Sequence, residues 1–190
     1  GVARALVDLL RSLGGPEAIL AASPAQRRRT APAAVAAALE AGPEPARLAE
    51  SLAWLAQPGS DLVAWDDADY PAALLQIADL PTMVPSGIPA FAIAGSRNAT
   101  PQGIADAEAF AAALSTAGLT IVSGLAAGID AAAHRGALQG PGGTIAVTGT
   151  GLDRVYPASH RQLAHTLAHQ GLLLSEFTPG TPPLKQNFPR

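Results

Sequence analysis

The chain has 190 residues, enough for one substantial domain with a small appendage. Hydrophobic residues make up 48% of it and charged residues 14%, a balance typical of a globular protein with a large buried core. Cysteine is absent, which excludes disulfide scaffolds and thiolate metal sites. No apolar run reaches the roughly 18 to 20 residues that span a bilayer, and no signal-peptide pattern follows Gly1, so we expect a cytoplasmic protein without a membrane segment.

The net charge of −3 is unevenly distributed along the chain. Residues 61–90 hold five Asp and no base, whereas residues 91–190 hold six bases and five acids. A generally basic nucleic-acid-binding protein is therefore not indicated, and any positively charged site must be local. Eleven of the twelve bases are Arg, whose planar guanidinium suits bidentate contacts with phosphate.

Residues 1–56 have the pattern of a small helical domain. Short stretches with apolar residues at helical spacing are separated by Gly and Pro: Gly14 and Gly15 end the first stretch, and Pro16 begins the second. An acidic and irregular connector is predicted over residues 57–90.

From residue 91 the pattern changes to apolar strands that alternate with helices. Strands are predicted at FAIAG, LTIVSG, TIAVTG and LLLSEF, and helices at about 101–117, 128–139 and 159–170. This alternation is typical of βαβ units, which form parallel sheets with right-handed crossovers. We therefore predict an α/β fold over residues 91–190, a Rossmann-like parallel sheet with helices on both faces. Four strands make a thin sheet of this kind, so we expect further sequence beyond its C-terminal end.

Two glycine turns follow the first two predicted strands. The carboxyl ends of parallel strands meet at one edge of the sheet, and glycines there let the backbone approach a ligand closely. The helices that follow direct their positive N-termini to the same edge, and Arg97 adds a full charge. One such turn is common in any α/β fold, but two turns with an Arg favour a phosphate site. Its predicted members are Gly95, Ser96, Arg97, Ser123, Gly124 and Gly128.

Groups that could support catalysis are sparse. Asp130 falls in the first turn of the second predicted helix, where a capping role is expected and the alternative is to orient a loop or a ligand hydroxyl. His134 shares its helix face, which predicts a structural pair with Asp130. Glu176 is the best candidate for a general base but has no carboxylate partner in the pattern. The pattern therefore shows no nucleophile with a positioned base, and its histidines form no metal signature.

Known nucleotide motifs do not fit. The segment GTGLDR departs from GxGxxG because Arg154 occupies the third glycine position, and it follows the third predicted strand of the sheet. The P-loop pattern GxxxxGK[ST] does not occur. We therefore predict neither a dinucleotide cofactor nor a nucleotide bound by a P-loop.

A basic and aromatic segment lies near residue 190. Lys185 and Arg190 flank Phe188, and both are predicted to bind nucleic acid. Such a segment beside a phosphate site suits single-stranded nucleic acid, and an ordinary exposed loop is the equal alternative.

The motif series GSRNATPQG, IVSGLAAGIDAAAH, TIAVTGTGLDRVYP, LLLSEF and FPR resembles, in order and spacing, the DprA/Smf family of DNA-processing proteins. Upstream, DADYPAALLQIADLP and GGPEAILAAS are also similar to family segments, the second to its SAM-like helical domain. The resemblance implies binding of single-stranded DNA in natural transformation, protection of the incoming strand and loading of RecA. It further implies a homodimer formed through the Rossmann-like domain, with no nucleotide cofactor and no catalytic turnover.

Two departures and two alternatives accompany this resemblance. The family usually continues past FPR with RNR and more sheet, and TMVPSGI is shorter than the matching family segment.

A nucleotide-hydrolysing protein similar to the LOG family would need PGGxGTxxE, but the segment at Pro141 lacks the Glu. A nucleotide-binding sensor without turnover is the other alternative.

Overall fold

The computed structural model describes residues 2–60, 62 and 89–188. The described residues divide into a helical unit, residues 2–60, and an α/β unit, which holds residues 89–188. The predicted connector and the predicted domain limits at residues 56 and 90 stay predictions, because most of the connector lies outside the described residues.

Gly and Pro delimit the helices of the helical unit, as the sequence predicts. A Pro begins three of its helices, where a missing amide costs no hydrogen bond. Ser23 caps one of them through a capping box with Gln26. In order, the helices are α1 (Val2–Leu13), α2 (Pro16–Ala21), α3 (Pro24–Thr30), α4 (Ala33–Ala41) and α5 (Pro45–Leu55).

The basic cluster on α3 is largely occupied by contacts inside the helical unit. The Arg27 guanidinium donates to the carbonyls of Ile19 at 2.9 Å and Leu39 at 3.3 Å, which lie near the ends of α2 and α4. Arg28 forms an ion pair with Glu40 at 2.7 Å. Arg27 and Arg28 therefore join elements within the helical unit.

The α/β unit contains a parallel four-stranded sheet with the order β1-β2-β3-β4, which confirms the predicted parallel sheet. Short 3-10 helices lie at Ala158–His160 and Lys185–Asn187. The strands are β1 (Ala90–Ala92), β2 (Thr120–Ser123), β3 (Thr144–Thr148) and β4 (Leu172–Ser175), and the helices between them are α6 (Pro101–Thr116), α7 (Ile129–Ala137) and α8 (Arg161–Gln170).

The three described helices of this unit pack on the same face of the sheet. Ile121 of β2 packs against α6 and α7, and Ala146 of β3 packs against α8. Ile121 pairs with Thr144, two residues before Ala146, so both side chains point to one face. Right-handed crossovers between consecutive neighbouring strands place every connecting helix on the same face of the sheet. On the other face Val147 is 42% exposed, and helices there stay a prediction.

Small residues bring α6 and α7 into close contact. Ala111, Ala133 and Ala137 form the core between them, and a Cβ at Gly136 would overlap the carbonyl oxygen of Glu108. Ser115 of α6 donates to the carbonyl of Ala137 at 2.7 Å. This packing fixes α7, whose first turn carries the candidate site.

His134 is fully buried between α7 and β3, and its partner differs from the one predicted. Thr144 Oγ1 donates to the carbonyl of Ile121 at 2.7 Å, so it accepts the hydrogen bond from His134 Nδ1, also 2.7 Å away. The predicted pair with Asp130 is wrong, because the Asp130 carboxylate bonds to backbone amides instead. Burial, and secondarily repulsion by His160, lowers the pKa of His134 to about 4, so its ring is neutral.

The depressed pKa of His134 predicts a loss of stability in mild acid. An unfolded His takes up a proton near pH 6.5, whereas the folded ring resists it down to about pH 4. The free energy of unfolding should therefore fall by about 3 kcal/mol as the pH decreases through this window. Urea unfolding at a series of pH values measures this, and His134→Gln should flatten the dependence. His169→Gln, on the exposed surface of α8, is the control; a His134→Gln variant with the full pH dependence would contradict the assignment.

Candidate functional site

The two predicted glycine turns, residues 95–97 and 123–128, contact each other at the carboxyl edge of the sheet. The Ile129 amide donates to the Ser96 carbonyl at 3.2 Å. Gly128, with φ of 79°, lies against the same peptide, where a Cβ would overlap the Ser96 carbonyl oxygen. A Cβ at Gly95 would lie 2.8 Å from Cγ1 of Ile129. The two glycines are therefore needed for the turns to meet, whatever they bind.

The Asp130 carboxylate bridges the two turns. Its Oδ1 accepts from the Gly95 amide at 3.4 Å, and its Oδ2 accepts from the Ala126 amide at 3.3 Å. The residue is only 7% exposed, and a Cβ at Gly124 would lie 2.9 Å from Oδ2. Asp130 therefore does more than the expected capping of α7. It orients both turns, which agrees with the alternative role of orienting a loop.

Leu125 anchors the second turn to the rest of the α/β unit. Its φ of 59° is positive, which a bulky residue rarely adopts outside a well-packed turn. The side chain is 2% exposed and packs against Ala146 and Leu167, while its carbonyl accepts from His160 Nδ1 at 3.0 Å. Both the side chain and the backbone carbonyl of Leu125 thus hold the second turn in place.

Arg97 lies on the exposed side of the first turn beside two aromatic rings. Its Cζ is 5.9 Å from the ring centroid of Phe188, and that ring is 5.7 Å from the ring of Tyr156. Asn187 Nδ2 donates to the Gly149 carbonyl at 3.0 Å, which holds this segment against the end of β3. Arg97, Phe188 and Tyr156 therefore form one surface, called here the Arg97 surface. The sequence singled out Phe188 but not Tyr156, which lies in VYP between β3 and α8.

Hydrogen-bond donors of the first turn remain available next to Arg97. The backbone amides of Ser96 and Arg97 donate to no group in the described part of the chain. Ser96 Oγ accepts from the Asn98 amide at 3.1 Å, which leaves its own hydrogen free to donate. An anion beside Arg97 could thus accept from two amides, one hydroxyl and one guanidinium.

Other predicted site residues fit a ligand-binding role less well or lie elsewhere. Ser123 is 6% exposed and its hydroxyl donates to the Ile93 carbonyl at 2.6 Å, so that hydroxyl is engaged inside the fold and its phosphate contact stays a prediction. Gly124 makes room for Asp130. Lys185 is exposed, three residues before Phe188, and Arg190 lies outside the described residues.

The described residues hold neither a metal site nor a membrane-spanning helix. No group of three His, Cys, Asp or Glu side chains among them could hold a metal ion. None of the described helices has both the length and the apolar character needed to cross a membrane. Glu176, the candidate general base, is exposed just beyond β4.

Comparison with known proteins gives matches over most of the chain. A family profile described as DNA recombination-mediator protein A matches residues 61–190. Protein Smf of Escherichia coli is 43% identical over 148 residues, which cover 74% of this chain and 40% of that protein. DNA processing protein DprA of Streptococcus pneumoniae is 43% identical over 130 residues, 65% of this chain and 46% of that protein. The chain thus spans less than half the length of these relatives.

Solved structures agree with the sequence matches. The X-ray structure of DprA from Streptococcus pneumoniae superimposes with a TM-score of 0.76 at 30% identity and covers 97% of this chain and 66% of that one. DprA from Helicobacter pylori, solved for its single-stranded DNA binding mode, gives a TM-score of 0.57 at 29% identity, over 64% of this chain and 59% of that one. The profile match and the shared fold show that this chain belongs to the DprA/Smf family of DNA-processing proteins.

Proposed function

We propose that this chain binds single-stranded DNA in natural transformation, protects the incoming strand and loads RecA onto it. The observation that carries the proposal is the Arg97 surface, where an exposed guanidinium lies 5.9 Å from an aromatic ring, next to two amides that donate to no described residue. The Helicobacter pylori relative, whose structure concerns single-stranded DNA binding, supports the choice of ligand.

The Arg97 surface supplies both interactions that single-stranded DNA needs. Its charged and hydrogen-bonding groups on the first turn fit the phosphates, and the rings of Phe188 and Tyr156 offer faces on which bases stack. Tyr156 is 48% exposed, so a base can reach its ring. Every base has such a face, so binding by this surface should depend little on sequence. A duplex keeps its bases stacked inside and would use only the phosphate contacts.

The remaining parts of the proposal concern partners, location and chemistry. RecA and a second copy of the chain, bound through the α/β unit, are the proposed protein partners, and the cytoplasm is the proposed location because RecA and incoming DNA meet there. Their support is membership of the family. Binding without turnover is proposed on the same ground, family membership. Asp130 and His134 are buried and bonded within the fold, which agrees with structural roles for both.

The LOG-like alternative is disfavoured by the position of its motif. Pro141, Gly142 and Gly143 precede β3, so they lie at the amino edge of the sheet, opposite the glycine turns. A Cβ at Gly142 would overlap the carbonyl oxygen of Leu119, which gives this glycine a packing role. The segment therefore cannot share a nucleotide site with Arg97.

Arg97→Ala should weaken binding of a fluorescent oligo-dT by about tenfold at low salt, because it removes one phosphate contact and the cation–π contact. The slope of log affinity against log salt should also decrease by about 0.7. Fluorescence anisotropy across a salt series measures both quantities.

Arg135→Ala is the matched control for Arg97→Ala. It removes the same charge at the other end of α7, where Arg135 pairs with Glu108 at 3.2 Å. Affinity for oligo-dT should change little in this variant. Equal losses in the two variants, or an unchanged affinity in a folded Arg97→Ala protein, would rule out this location for the site.

Phe188→Ala should weaken oligo-dT binding by about 1 to 3 kcal/mol through lost stacking, while the salt slope stays the same. Phe188→Tyr should restore most of the affinity. Phe110→Ala removes another exposed ring, 54% accessible on α6, and should leave binding unchanged. If Phe188→Ala binds oligo-dT as well as the unmodified chain, the ring does not stack on DNA.

A further inference from the structure

The start of α7 is filled by the chain's own carboxylate. In parallel α/β folds a glycine turn followed by a helix N-terminus is the usual place for a bound phosphate. Here Asp130, the second residue of α7, lies at that place with only 7% of its surface exposed.

Three amides near the start of α7 already donate to Asp130 or to the first turn. The Asp130 oxygens accept from the amides of Gly95 and Ala126 at 3.4 and 3.3 Å. The Ile129 amide, at the first position of α7, donates to the Ser96 carbonyl at 3.2 Å. These donors face inward, whereas the amides of Ser96 and Arg97 donate to no other described residue.

The space around Asp130 is closed as well. A Cβ at Gly124 would approach Oδ2 to 2.9 Å, and Gly128 lies directly against the Ser96 peptide. A phosphate at this position would have to displace the carboxylate or accept its repulsion. The negative charge also satisfies the positive end of the α7 dipole.

We propose that Asp130 is a built-in anion that sets the ligand specificity of the two glycine turns. It holds them in their binding arrangement without a ligand and excludes free phosphates and mononucleotides from the start of α7. Phosphate binding is thereby left to the outer rim at Ser96 and Arg97, where a single phosphate makes few contacts and a strand gains affinity from several. This inference rests on the proposed function for its ligand and assigns Asp130 a positioning role.

The first test uses the unmodified chain and backbone NMR. Pyrophosphate and dTMP should leave the amide signals of Gly95 and Ala126 in place, whereas oligo-dT should shift those of Ser96 and Arg97. Shifts of the Gly95 and Ala126 signals with pyrophosphate or dTMP would overturn the proposal. If oligo-dT shifts no amide signals, the proposed function is wrong. The response of the Gly95 and Ala126 signals to pyrophosphate still tests the role of Asp130.

The second test compares variants by calorimetry with dTMP and oligo-dT. Asp130→Asn should gain affinity for dTMP, so that the preference for oligo-dT over dTMP falls about tenfold or more. Asp130→Glu keeps the charge and should retain the preference. Asp106→Asn, an exposed carboxylate on α6 that accepts from Gln102 at 2.7 Å, is the control. A gain in dTMP affinity would be diagnostic because loosened packing alone would not create it. A folded Asp130→Asn chain with the original preference would overturn the proposal.

Discussion

The α/β unit depends at its functional edge on the contact between two glycine turns. Gly95 and Gly128 let the turns meet without side chains between them. The Asp130 carboxylate accepts one hydrogen bond from each turn. The position of Arg97 follows from this contact, because its own carbonyl lies against Gly128. A side chain at either glycine would separate the turns and move the guanidinium that the proposed DNA contact needs.

The support for this contact comes from behind α7. Gly136 lets α7 approach the backbone of α6, and the neutral ring of His134 bonds to Thr144 of β3. The helix α7, whose first turn carries Asp130, is thus packed against both α6 and β3.

Sequence patterns predicted what depends on local spacing and missed what depends on the partner across the fold. The strands, the helices and both glycine turns follow from periodicity and from Gly positions. The bond of Ser123 to Ile93, across two strands, and that of His134 to Thr144 were not predictable, because a sequence does not show which hydroxyl faces which carbonyl. The strand order, which puts the three described helices of the sheet on one face, is likewise a tertiary property.

Among the described residues, the distribution of bonded and unbonded donors agrees with the proposed phosphate site in a nearly neutral unit. Residues 91–190 carry six bases and five acids, so attraction at long range is weak. The inner amides are bonded to Asp130, and the outer ones lie next to Arg97 and the Phe188 ring. In the proposed function, such a surface attracts a strand by few charges and gains the rest of its affinity from stacking. A ligand without bases, or with only one phosphate, therefore lacks most of what this edge of the sheet offers.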